Sequence, residues 1–192
     1  GDTTTHPALT EEIVKLYNSR FDRKITPEEM EWMIEGSRLE DTSPRWVNHL
    51  YDPIQKIGWS GENLGDVGSG PVRSVVQLLV APGGRWHSAM DWVNNSPAQQ
   101  LYGRYGGDRT WKKALQYYAD GNMEEAYRTL GYVFHLLEDM GVPAHTRDDP
   151  HPHSVEGLTG ETGEPYENYA KRWTRETIGN VVRLDGLDAV QK

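Results

Sequence analysis

The chain of 192 residues contains no cysteine. Disulfides and cysteine-based zinc sites are therefore excluded, the redox compartment is left unmarked, and histidine and carboxylate must carry any metal. A long apolar run is also lacking. The longest candidate, Val75-Val76-Gln77-Leu78-Leu79-Val80-Ala81, falls well short of the ~20 residues of a membrane-spanning helix. Nor is there an excess of basic residues. Twenty Lys and Arg stand against 29 Asp and Glu, a formal net charge of -9, which argues against holding duplex DNA through broad phosphate neutralisation. A single anionic phosphate is still admissible, because bound cations reverse the local sign of the potential. No internal repeat or low-complexity tract breaks the chain, and its length suits one domain, residues 1–192, with a sizeable core.

Most of what remains reads as helix. Thr10-Glu11-Glu12 supplies an N-cap and first-turn acids ahead of Ile13, Val14, Leu16 and Tyr17, predicting a helix over Thr10–Arg20 with His6 just before it. Thr26-Pro27-Glu28-Glu29 repeats the start signal and opens a second helix towards Leu39, with Asp41 near its end. Helices follow over Trp86–Asn95 and Arg109–Ala119, the latter with Trp111, Ala114, Leu115 and Tyr118 on one face. Asp120-Gly121-Asn122 is a helix stop, and Met123–Met140 is the longest and most apolar helix, ended by Gly141 and Pro143. Tyr51–Gly70 and Asp148–Gly163 read as loops, and Pro165-Tyr166-Glu167 starts a helix that continues through Trp173. For Pro71–Ala81, periodicity does not choose between a short strand, a buried helix and a loop that touches lipid.

The chemistry concentrates in Phe134-His135-Leu136-Leu137-Glu138-Asp139-Met140-Gly141-Val142-Pro143-Ala144-His145. His135 and Asp139, four residues apart on a helix, project from one face and can grip one cation together, and the proline-stopped end delivers His145. Nitrogen plus carboxylate oxygen, without thiolate, suits zinc or another first-row divalent ion. Thr5-His6-Pro7, Glu40-Asp41, Asn48-His49-Leu50-Tyr51-Asp52-Pro53 and Pro165-Tyr166-Glu167-Asn168-Tyr169 add further donors. Glu138, beside Asp139, points to a different helical face and is read as a supporting or solvent group, and Asp52 as a group that orients His49 or caps its turn.

In this order, and over nearly the whole chain, these pieces resemble the zinc-dependent phospholipase C and single-strand-specific nuclease superfamily. The resemblance implies an all-α helical bundle whose pocket is floored by three zinc ions and which hydrolyses phosphate esters. By it, His49, His135 and Asp139 ligate the first ion, with Asp41 either a further ligand or the base that takes a proton from the attacking water. Asp139 bridges to a second ion, which also takes His6. Relatives add the amine and carbonyl of an N-terminal tryptophan there, whereas residue 1 here is glycine. His145 and Glu167 hold the third ion. Relatives supply a further ligand one turn before that carboxylate, where this chain has Gly163, and His153, with His151 as the other candidate, is the replacement. His87 matches no ligand and is read as structural, and Tyr51 and Tyr166 as packing residues.

The resemblance further implies export, secreted or periplasmic, and a domain commonly longer than these residues, so that C-terminal helices are lacking or lie outside them. The Asn48–Pro53 and Tyr166–Tyr169 motifs and the absence of cysteine sit closer to the phospholipase branch. That implies a phospholipid or other phosphodiester substrate, peripheral contact with a membrane surface and no duplex nucleic acid. The nuclease is the alternative within the family. A metal-stabilised, non-catalytic helical domain is the alternative outside it, motivated by Gly1 and Gly163.

Overall fold

A computed structural model of the chain describes residues 4–56, 58, 87–143, 145–146 and 169–178. Among them the architecture is all-α, without a β-strand: α1 (Thr5–Arg20), α2 (Pro27–Glu40), α3 (Ala89–Trp92), α4 (Ser96–Gln100), α5 (Trp111–Ala119) and α6 (Met123–Asp139), with 3-10 turns at Arg45–Asn48 and Gly103–Tyr105.

The central helix is α6, and its largest partner is α2. Glycine sets how near they come. A Cβ on Gly131 would stand 2.0 Å from the Met33 carbonyl oxygen, and one on Gly36 would stand 1.9 Å from that of Arg128. Each helix thus offers a bare backbone to the other's carbonyl, and no side chain fits between them. At the crossing the Ser37 carbonyl of α2 meets His135 of α6, and Ser37, Glu40, His135 and Asp139 are all buried. Helix α1 covers the other side of this pair, with Val14, Met33 and Tyr127 forming one core cluster. Trp92, Tyr102, Ala89, Ala98 and Leu136 form another, with Tyr51 and Met140 against its edge.

The start of α2 follows the sequence closely. Thr26 Oγ1 accepts from Glu29 N, Glu29 returns the bond to Thr26 N, and Pro27 takes the first helical position. The start of α1 departs from expectation. It begins at Thr5, not Thr10, because Pro7 lies in the first turn, where its missing N–H goes unused. Thr10 is therefore inside the helix and donates its hydroxyl to Glu138 Oε1 at 2.8 Å instead of capping. His6 is carried on the first turn of α1, whose N-terminal end is tied down by Thr5 Oγ1 donating to the Ala170 carbonyl at 2.8 Å.

Of the helix expected over Trp86–Asn95, the described residues form Ala89–Trp92, and the Asn95 side chain caps the next helix by accepting from Ala98 N; Trp86 lies outside the described residues. Thr110 caps α5, and Gly121, at φ +78°, makes the stop before Asn122 caps α6. The expected apolar face of α5 is only partly covered. Ala114 is buried, but Trp111, Leu115 and Tyr118 stay substantially exposed along a groove shared with Ile13, Tyr17 and Phe134. Residues 59–81, the Asp148–Gly163 loop and the start of the helix at Pro165 lie outside the described residues; Tyr169 and Ala170 are helical.

The α2–α6 crossing makes a direct prediction. Gly131→Ala gains alanine's ~1 kcal/mol helix advantage, yet it must push a backbone carbonyl aside. Chemical denaturation should show a net loss of about 1–3 kcal/mol; unchanged or raised stability would contradict the close crossing.

Candidate metal centre

Four imidazoles converge on one carboxylate. His135 and Asp139 come from the last turn and a half of α6, His6 from the first turn of α1, His49 from the end of the 3-10 turn after α2, and His145 from the turn after α6. His49 Nδ1 lies 3.0 Å from Asp139 Oδ2, and His135 Nε2 lies 3.4 Å from the same oxygen. His145 Nδ1 and His6 Nε2 lie 3.1 and 3.3 Å from Asp139 Oδ1. His135 Nε2 and His49 Nδ1 are 3.3 Å apart, and the His6 ring lies against His135 with centroids 3.8 Å apart and the rings tilted by 32°. Asp139 and His135 are 1 % exposed and His49 3 %, whereas the His6 and His145 side chains keep 12 and 13 %.

The outward nitrogens explain the inward ones. His135 Nδ1 lies 2.8 Å from the Ser37 carbonyl, which can only accept, so Nδ1 carries the proton and Nε2 turns a lone pair inward. His6 Nδ1 lies 2.9 Å from Glu138 Oε2, fixed in its turn by Thr10, which leaves Nε2 for the centre. His49 Nε2 faces Glu40 Oε1 at 3.4 Å, leaving Nδ1 inward. Metal-ligating histidines are held in this way, the far N–H on an acceptor and the near lone pair on the ion.

Without a cation, lone pairs facing a carboxylate would repel, and the protonation equilibria report that conflict. Burial opposes charge on Asp139, yet the charges of His145 and His135 hold its carboxyl well below the usual range. Burial likewise opposes charge on His49, but its contacts with Asp139 and Glu40 push it up to about 9, and His6 is raised well above its ordinary value by Asp139 and Glu138. The centre calls for positive charge, supplied by protons or by metal. Asp139 Oδ2, facing the centre, is buried without a hydrogen-bond partner among the described residues, as expected of a site shaped around an ion, while the outward His49 Nε2 stands 3.4 Å from Glu40 Oε1, a close charge contact outside hydrogen-bond geometry.

Two donor sets lie close enough to share an ion. Donor atoms of His6, His135 and Asp139 lie within 4.8 Å of one another, as do those of Asp41, His49 and His135. Asp41 sits at the C-cap of α2 on the more open side. Thus six of the sequence-derived candidates, His6, Asp41, His49, His135, Asp139 and His145, meet in one region. Glu167, His153, His151 and Gly163 lie outside the described residues, as does Gly1. Asp52 does not orient His49; its Oδ1 caps the turn by accepting from Ile54 N and Gln55 N. Glu138 is a supporting group, on His6. His87 pairs with Asp91 at 2.5 Å. The backbone also fixes His145, whose carbonyl accepts from Tyr51 N at 2.8 Å.

Sequence reasoning passed over Glu40 and Ser37. Glu40 was visible only as the neighbour of Asp41, and Ser37 contributes a backbone carbonyl, which no side-chain pattern announces. No family model, no curated protein and no solved structure matches the chain.

The direction of the pKa shifts predicts a pH profile for metal-free protein. Asp139, depressed, stabilises above its ordinary 3.8 and loses that contribution as pH falls below it. His49, raised, stabilises fully below its ordinary 6.5 and loses that contribution as pH rises through about 9. Urea denaturation in chelator should therefore show stability falling between pH 6.5 and 9, while metal affinity, which needs neutral imidazole, rises across the same window. Stability that is flat across it would refute the electrostatic assignment.

Proposed function

We propose that the protein is a zinc-dependent hydrolase of phosphate esters, a phospholipase C-like enzyme with the helical fold of the phospholipase C and nuclease superfamily. The observation that carries this reading is the set of imidazoles whose outward nitrogens face acceptors and whose inward nitrogens meet at Asp139. Nitrogen and carboxylate donors without sulfur suit zinc. His49, His135 and Asp139, with Asp41 beside them, would hold one ion; His6 with Asp139 would take part in holding a second; His145 would serve a third, with Glu167 and His153 as its further candidate ligands.

Bound zinc would supply Lewis-acid chemistry at this centre, lowering the pKa of water towards neutrality and offsetting the charge that develops on the phosphate oxygens. The chain's own residues do the rest. Asp41, at the open end of α2, accepts the proton of the attacking water. Asp139 stays ionised and sets the spacing of the imidazoles around it. Ser37 and Glu138 hold the protons of His135 and His6 away from the centre. The local charge of the loaded site draws an anionic diester to a protein of formal net charge -9. The substrate is a phospholipid met at a membrane surface by an exported enzyme, with single-stranded nucleic acid as the alternative diester.

The depth of His49, His135 and Asp139 favours a second reading, a helical domain that keeps its ion for structure, because closed sites are structural and open ones catalytic. Hydrolysis separates the two. Zinc-loaded protein should release phosphocholine from phosphatidylcholine vesicles faster than it digests single-stranded DNA. Asp139→Asn and His135→Ala should abolish hydrolysis and lower bound zinc. Asp41→Asn should slow hydrolysis by about 10²–10⁴-fold, and His87→Ala should change neither. Retained hydrolysis in Asp139→Asn would overturn the site, and a folded, zinc-loaded protein inert on both substrates would leave the structural reading.

A further inference from the structure

Glu40 lies at the last residue of α2, with its side chain fully buried, and its two oxygens face different partners. Oε2 accepts from Arg45 Nε at 2.7 Å. Oε1 accepts from Trp92 Nε1 at 2.8 Å and stands 3.4 Å from His49 Nε2. Arg45 is equally buried and is itself fixed: Nη1 donates to the Tyr105 and Gly107 carbonyls at 3.2 and 3.0 Å, Nη2 donates to Gln99 Oε1 at 3.0 Å, and the guanidinium lies over the Trp92 and Tyr132 rings. A buried ion pair of this kind is costly to desolvate and is weak support for stability in itself. Much of the machinery around it aims one carboxylate oxygen at the outer nitrogen of His49, whose inner nitrogen is 3.0 Å from Asp139.

We propose that Glu40, anchored by Arg45 and Trp92, is the positioning residue that holds the proton of His49 on Nε2 and so presents Nδ1 to the metal. The proposal rests on the metal-centre reading and deepens it. Glu40 touches no substrate and acts only through His49. The Ser37 carbonyl and Glu138 serve His135 and His6 in the same way, so His49 alone among these three takes its acceptor from a buried, charge-paired network. The device has a consequence for ligand chemistry. His135 and His6 bind through Nε2, whereas His49 binds through Nδ1, the nitrogen nearer its own backbone.

The unaltered protein provides the test. It is labelled with ¹⁵N-histidine and loaded with ¹¹³Cd in place of zinc, and the His49 signal is assigned by its loss in His49→Gln. The expected result is a ¹¹³Cd coupling to Nδ1 of His49 with a proton on Nε2. Coupling through Nε2 would overturn the role of Glu40 and leave the metal centre standing; failure to bind cadmium or zinc at all would overturn both. Because Glu40→Gln alone strands a buried guanidinium, the companion variant is Glu40→Gln with Arg45→Met, compared by circular dichroism and metal titration. It should bind zinc about 10–100-fold more weakly than the unaltered protein, with the Nδ1 coupling lost or divided between the two nitrogens. Unchanged affinity and an unchanged coupling pattern in this variant would also overturn the proposal.

Discussion

The structure depends first on a backbone contact. Gly36 and Gly131 let α2 and α6 touch main chain to main chain, with no space for even a methyl group between them. At that distance the Ser37 carbonyl reaches His135 Nδ1, and the last turns of both helices converge their acidic residues and histidines on one point. A wider crossing filled by ordinary side chains would still bury apolar area, but it would separate Ser37 from His135 and His49 from Asp139. Two helix-interior glycines, each unfavourable for helix formation by itself, thus make the centre possible.

The second constraint is electrostatic. A buried carboxylate surrounded by imidazole lone pairs is stable only when something positive joins it. Protons satisfy that need in the metal-free protein, which raises His6 and His49 and depresses Asp139. A divalent ion would satisfy it more fully, by replacing several protons with one centre of charge. The supporting acceptors, Ser37, Glu138 and Glu40, each face the outer nitrogen of an imidazole.

Much of this was legible in the sequence. The i, i+4 spacing of His135 and Asp139 fixes their shared face whatever the tertiary context, and Thr26-Pro27-Glu28-Glu29 specifies its helix start through local hydrogen bonds alone. The all-α class was implied by the resemblance, and the local helix signals agreed with it while leaving Pro71–Ala81 open. What local pattern could not supply was tertiary. The first helix was placed to begin at Thr10 because a threonine followed by two glutamates is a start signal, yet Glu138, 128 residues away in sequence, takes that hydroxyl. Asp52 looked equally able to serve His49 or its own turn, and the nearby N–H groups of Ile54 and Gln55 took it. Glu40 was hidden beside Asp41 because its importance comes from Arg45, Trp92 and His49, which only the fold assembles.

The central claim is that this centre exists to hold metal for hydrolysis. The most direct measurement is zinc per chain by elemental analysis of tag-free protein, before and after adding zinc, with phosphodiester hydrolysis read on the same samples. The account predicts two or three ions per chain and activity that rises with occupancy. One ion or none, with no hydrolysis after reconstitution, would contradict it.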